Sequence, residues 1–242
     1  MRTWGGWLTD QGMGIGVDGL SNVYVCGSFM WWADFDPTEN EDIRETEGTN
    51  GFISKFDING NRLWTKIIIT GPMDIPYDIA SSVNGELYVT GVFISGFDIN
   101  GFIRKYNSNG VQQWVRYIGS SGHDWTQGVI NDNLGYVYVI GYFMETVDFD
   151  TGAGYKTYTS AGLRDIFVCK FSPSGFFEWA RVFGGEGNEH GFGITVDIDD
   201  NIYGTGRFTG TVDFNPNMGN DYHTAVDNQD AYLLKLPPHG NW

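Results

Sequence analysis

Apolar residues in this chain gather in short runs of β-branched and aromatic side chains, closed off by glycine, asparagine or aspartate. The runs recur in the same order along the sequence, and such runs read as strands. One covers Asn22 to Phe29 around Gly27. Its copies span Leu87 to Phe93, Val137 to Phe143 and Ile202 to Phe208, with Gly91, Gly141 and Gly206 in the matching place. A strand Gly14 to Asp18, echoed at Gly193 to Asp197, precedes it. A third strand carries Lys55, Lys105, Lys170 or Lys235, and a fourth carries Trp64, Trp114 or Trp179, with Trp242 in the matching place after the last glycine turn. The segments Asp57-Ile58-Asn59-Gly60, Asn107-Ser108-Asn109-Gly110 and Ser172-Pro173-Ser174-Gly175 have the composition of hairpin loops between the third and fourth strands.

From each lysine to the next glycine the distance is 36 residues three times over (55 to 91, 105 to 141, 170 to 206). A near-constant period marks a repeat architecture. Each repeat reads as a four-stranded antiparallel meander with two apolar faces, which stacking of copies around an axis buries. The last repeat lacks its fourth strand. The opening Arg2-Thr3-Trp4-Gly5-Gly6 matches Arg181-Val182-Phe183-Gly184-Gly185, and joining Trp242 to Met1 gives a spacing of 34 for the fourth interval. The expectation is therefore one all-β domain over 1–242, a four-bladed β-propeller. Its blades fall at about 12–70, 71–120, 121–185 and 186–242 plus 1–6, with the N-terminal strand completing the last blade and removing an open edge. A piece of a longer array has the same phase.

At 242 residues the chain can bury a full core, and 35 glycines suit many tight turns. The net charge of −16 repels nucleic-acid phosphates and anionic membranes. No apolar run approaches membrane-spanning length. No basic start leads into an apolar segment, so any signal peptide has been removed or was never present. Cys26 and Cys169 replace unrelated residues of sister repeats, in blades expected to lie opposite each other, and read as free thiols.

The pattern Gly-Ile-x-Val-Asp, Asn-x-Tyr-x-x-Gly-x-Phe, Val-Asp-Phe-Asp/Asn, Asp-x-Phe-x-x-Lys-Phe and Gly-x-x-x-Trp-Ala-Arg resembles the SBBP (β-propeller) repeats of secreted bacterial surface proteins. It is strongest at Val147-Asp148-Phe149-Asp150 and Val212-Asp213-Phe214-Asn215-Pro216. The second repeat departs from it, with a link about 15 residues shorter and only Phe97-Asp98 of the acidic motif. The resemblance implies the fold and an extracellular or cell-surface setting, and it carries no catalytic residues.

Acidic residues recur in the loops expected on one face. Asp10, Asp74, Asp124 and Glu189 share one position. Asp34, Asp36, Asp98, Asp148, Asp150 and Asp213 occupy the links between second and third strands. Oxygen-rich loops suit Ca²⁺, so Asp34, Asp36, Asp148, Asp150, Asp213, Asp10, Asp124 and Glu189 are candidate calcium ligands. Turn capping by the same carboxylates is the alternative. The recurring lysines read as structural, paired with a strand-end carboxylate such as Asp18 or Asp197, and the recurring tryptophans as core. His123, His190, His223 and His239 share no ligand spacing, and no nucleophile–base set stands out. The aromatics outside the repeat pattern, Trp7, Trp31, Trp32 and Trp125, are candidates for stacking on sugars or on a neighbouring subunit. The expected function is a non-enzymatic extracellular structural or interaction module whose partner is itself, as a surface or filament subunit, or a surface glycan or protein. A carbohydrate-binding module is the alternative, and a metal-dependent hydrolase on the acidic face comes last.

Overall fold

The computed structural model describes residues 2–215 and 219–240, and all regular structure there is β. Trp242, Met1 and Pro216, on which the repeat pattern also drew, lie outside the described residues. Unit 1 contains β1 (Gln11–Val17), β2 (Val23–Asp34), β3 (Ile43–Phe56) and β4 (Arg62–Ile68), paired antiparallel in chain order. Unit 2 repeats this with β5 (Asp74–Ser81), β6 (Leu87–Ser95), β7 (Asp98–Tyr106) and β8 (Gln112–Ile118). Unit 3 has β9 (Trp125–Asn131) and β10 (Val137–Phe143), then a small separate sheet of β11 (Thr146–Asp148) and β12 (Thr157–Thr159). It ends with β13 (Asp165–Phe171) and β14 (Phe177–Gly185). Unit 4 has β15 (His190–Val196) and β16 (Ile202–Phe208), a short hairpin of β17 (Thr211–Asp213) and β18 (Tyr222–Thr224), and β19 (Asp230–Leu236). The β17–β18 hairpin adds to the edge of β14, so units 3 and 4 share a six-stranded sheet.

The strand boundaries follow the repeat. The second strands are apolar on both faces, and β10 is buried at every residue, because a neighbouring unit covers each side. The loops between third and fourth strands close with a glycine at positive φ: 78° at Gly60, 72° at Gly110, 78° at Gly175. The turns between first and second strands need the same conformation. Gly85 and Gly135 supply it in the middle units, whereas Ser21 and Asp200 adopt φ of 62° and 60° in the outer ones. Ser21→Gly and Asp200→Gly are each expected to raise the unfolding free energy by up to about 1 kcal/mol, read by urea titration.

A closed four-bladed propeller does not form. Among the described residues the strands make five sheets, none of them closed. The first strands pack in an open series, β1 on β5, β5 on β9 and β9 on β15, and among the described residues β15 makes no comparable packing on β1, which closure requires. Residues 2–6, expected on unit 4, lie against unit 1 instead. Gly5 exchanges two backbone hydrogen bonds with Asp34 (3.0 and 3.1 Å), and the Trp4 ring sits 5.1 Å from Phe56. The reason lies in what the matching segment does. In β14, Arg181 to Phe183 pair with β13 of their own unit, while Gly184 and Gly185 pair with Asp213 and Val212 of the next. The N-terminal copy keeps the second half of that bargain, since Asp34 is the counterpart of Asp213.

Three apolar cores lie between successive units. Cys26, Ile53, Ile79 and Val89 meet between units 1 and 2. Ile103, Val129, Val139 and Cys169 meet between units 2 and 3. Ile140, Val168, Ile202 and Leu234 meet between units 3 and 4. Both cysteines are free, and burial pushes their thiols up.

A polar clasp repeats beside each core. Lys55 Nζ donates to Ser108 O (3.3 Å), Lys105 to Pro173 O (3.2 Å) and Lys170 to Pro238 O (3.3 Å), each in the turn of the following unit. Trp64 and Trp114 donate from their indoles to the first two of these carbonyls. The lysines also sit 4.9–5.4 Å over the rings of Tyr24, Tyr88 and Tyr138. Lys105 does meet a carboxylate just before β6, Glu86 at 2.9 Å, whereas Asp18 accepts from Tyr24 Oη (2.9 Å) and Asp197 from Tyr203 Oη (3.0 Å).

Candidate functional site

The acidic loops use their carboxylates on their own backbone. Asp34 Oδ1 accepts the amides of Asp36 and Asp42 (2.9 and 2.8 Å). Asp148 does the same for Asp150 and Lys156 (3.1 and 2.8 Å), and Asp213 for Asn215 and Asp221 (both 2.9 Å). In each case one carboxylate closes the base of a loop through amides two and eight residues on. Asp36 accepts from Thr38 and faces Arg62 at 3.7 Å, and Asp150 accepts from Gly152. The other acidic position caps its own approach loop four residues back: Asp10 to Gly6, Asp74 to Thr70, Asp124 to Ser120, Glu189 to Gly185. Among the described residues no three His, Cys, Asp or Glu side chains come together as a metal group. The described residues therefore supply no metal-binding group to support the calcium expectation; each of these carboxylates gives an oxygen to amides that a turn leaves without partners.

Burial raises two of these carboxyls, Asp124 to about 6 and Glu189 to about 7. Glu189 is fully buried. A pKa raised by folding stabilises the native state below the unfolded value and loses that contribution as pH climbs through the folded one. The window for Glu189 runs from its ordinary 4.5 to about 7. His190 beside it is pushed down to about 4 by burial, then by Arg207 and Arg164, so its contribution is lost as pH falls from 6.5. That opposing contribution is common to wild type and Glu189→Gln and cancels in their difference. The stability advantage of Glu189→Gln over wild type is expected to grow by at most about 3 kcal/mol from pH 4.5 to pH 8. Urea titrations at the two pH values read it, and a constant difference contradicts the burial.

The aromatic candidates divide. Trp125 stacks between Tyr77 (5.3 Å, 18°) and Tyr142 (5.7 Å, 17°), and Tyr142 meets His190 at 4.3 Å. This column ties units 2, 3 and 4 together, and sequence spacing gave no hint of it. Trp7 is exposed and touches the half-buried Trp32 edge-on at 5.5 Å. Trp31 stands exposed with φ of 65°, next to an open depression lined also by Trp32, Glu45 and Glu47.

At the ends of the sheet series, strand positions that are buried in the other units stand uncovered. Leu233 of β19 is 77% exposed, although its repeat counterparts Ile53, Ile103 and Val168 are at 0%. Thr205, paired with Leu233, is exposed while Cys26, Thr90 and Ile140 are buried. At the other end, Ile15 of β1 is 68% exposed while Ile79 and Val129 are at 3%. In the interior these two kinds of position pack on each other across a unit boundary. Here each is bare. A cavity of about 350 Å³ runs along β19, lined by Phe208, Phe214, Tyr232 and Leu234. Among the described residues β19 has a strand partner on one side only, β16. No family model matches this chain, and neither does any curated protein.

Proposed function

We propose that this chain is a non-enzymatic structural or interaction module that works through the two uncovered end faces of its sheet series. The observation that carries the reading is the contrast between Leu233 and Ile15 and their buried counterparts. Sequence positions that elsewhere form cores remain apolar where nothing covers them, and contiguous exposed apolar surface marks an interaction site. The likeness to SBBP repeats supports an extracellular or cell-surface setting for the module. Among the described residues no helix is long and apolar enough to cross a membrane.

An apolar fluorescent dye tests this in dilute solution. The wild type is expected to bind it in the native state. Ile15→Asp and Leu233→Asp are each expected to remove a large part of the signal without lowering Tm. Absence of dye binding by the wild type overturns the reading. Exposed Trp7 and Trp31 favour a second reading, a glycan platform, for which glycans would quench tryptophan fluorescence in the wild type and less in Trp31→Ala.

A further inference from the structure

Resting on the open-face reading, we propose that the partner is a second copy of this chain, docked head to tail, with residues 2–6 of one copy added as a strand to β19 of the other. Residues 2–6 already stand where the fourth strand of a preceding unit stands. Gly5 pairs with Asp34 as Gly184 pairs with Asp213. The Gly6 amide donates to Asp10 (2.6 Å) as the Gly185 amide donates to Glu189 (3.1 Å). Arg2 lies beside Gly60, as Arg116 lies beside Gly175 of the next unit. In β14 the corresponding stretch also pairs along its other edge with β13. Among the described residues, segment 2–6 has no such second partner.

β19 is the matching vacancy. By the register of β13 on β14, an added segment sets Arg2 opposite Leu233, Thr3 opposite Tyr232 and Trp4 opposite Ala231. In unit 3 the counterparts of the cavity-lining Phe208, Phe214 and Tyr232 are Phe143, Phe149 and Phe167, which share a core with Ala180 and Val182 of β14. An added strand fills that space in unit 4. The same docking lays Ile15 of one copy over Leu233 of the other, restoring the contact that Ile79 and Val129 make in the interior. It also brings the Ile58 carbonyl, counterpart of Ser108, Pro173 and Pro238, to Lys235. The two surfaces differ, so the contact is heterologous, and each copy keeps one of each for the next. Main-chain pairing supplies affinity and the flanking side chains supply register. With −16 on each copy, raised ionic strength favours the contact.

Mixing two blocked variants tests it. Leu233→Asp blocks one face and Ile15→Asp the other; both residues are exposed, so both variants fold. By light scattering at moderate salt, wild type is expected to exceed 27.0 kDa and each variant alone to stay at that mass. Their equimolar mixture is expected to give twofold mass and no more. A chain carrying both Arg2→Cys and Leu233→Cys is expected to oxidise to a ladder of covalent multimers. A mixture that stays at single mass overturns the proposal, as does an intramolecular disulfide, which would mean that the segment serves its own β19. If the wild type binds dye yet stays at single mass at every concentration, the open faces stand and the second copy falls. The occupant is then another protein or a further set of such repeats.

Discussion

Gly141→Ala is expected to unfold the protein or to lower Tm by about 10 °C or more, a loss on the order of 4 kcal/mol. A Cβ at Gly141 would lie 1.9 Å from the Trp125 carbonyl oxygen and 2.9 Å from the Phe167 ring. The oxygen is backbone, held in the ladder between β9 and β10, and the register shifts at this point because β9 carries a bulge. No rotamer change relieves the clash; a strand has to move. The four recurring glycines share this geometry, with a backbone oxygen 1.9 Å away at Gly27, 2.3 Å at Gly91 and 1.8 Å at Gly206. The control is Gly12→Ala, where the nearest atom is Val25 Cγ1 at 3.7 Å, and little change is expected. Equal Tm values for the two variants would contradict the close approach.

The second large effect is a contrast at one repeat position. Val168→Asp places a carboxylate in the core between units 3 and 4, among Ile140, Ile202 and Leu234, and its cross-strand neighbour Arg181 already gives its guanidinium to the Gly240 carbonyl. An unpaired buried charge costs several kcal/mol, roughly the whole stability of an ordinary domain. The variant is expected to be unfolded at room temperature. Leu233→Asp makes the equivalent change where nothing covers the side chain, and its Tm in dilute solution is expected to match wild type within about 2 °C. Urea and thermal melts decide the matter. Collapse of both variants would mean that Leu233 is as enclosed as Val168.

The repeat made most of the fold legible. Gly27, Gly91, Gly141 and Gly206 marked the second strands, the lysines marked the third, and the turn glycines marked the hairpins. Each is forced locally, by a close approach, a clasp or a positive φ, so each leaves the same residue in every copy. What the sequence could not distinguish was which edge of the Arg2–Gly6 strand is satisfied. The matching β14 has two partners, and a match to β14 is silent about which one the N-terminal copy retains. The carboxylates misled for a related reason. A loop that needs an acceptor for its amides and a loop that holds a cation are both written with Asp. Only the hydrogen bonds of Asp34, Asp148 and Asp213 separate the two. The end faces were invisible because Leu233 and Ile15 obey the repeat, and only the structure shows that they stand uncovered among the described residues.

Hydrogen exchange on the dilute monomer tests the open series most directly. β13 has a strand partner on each edge, and its amides are expected to be protected throughout. Among the described residues β19 has β16 alone, so protection is expected to alternate along Asp230–Leu236, with the amides that point away from β16 exchanging as if unstructured. Continuous protection of β19 in the monomer would contradict the account, because the chain would then be supplying its own fourth strand and closing on itself.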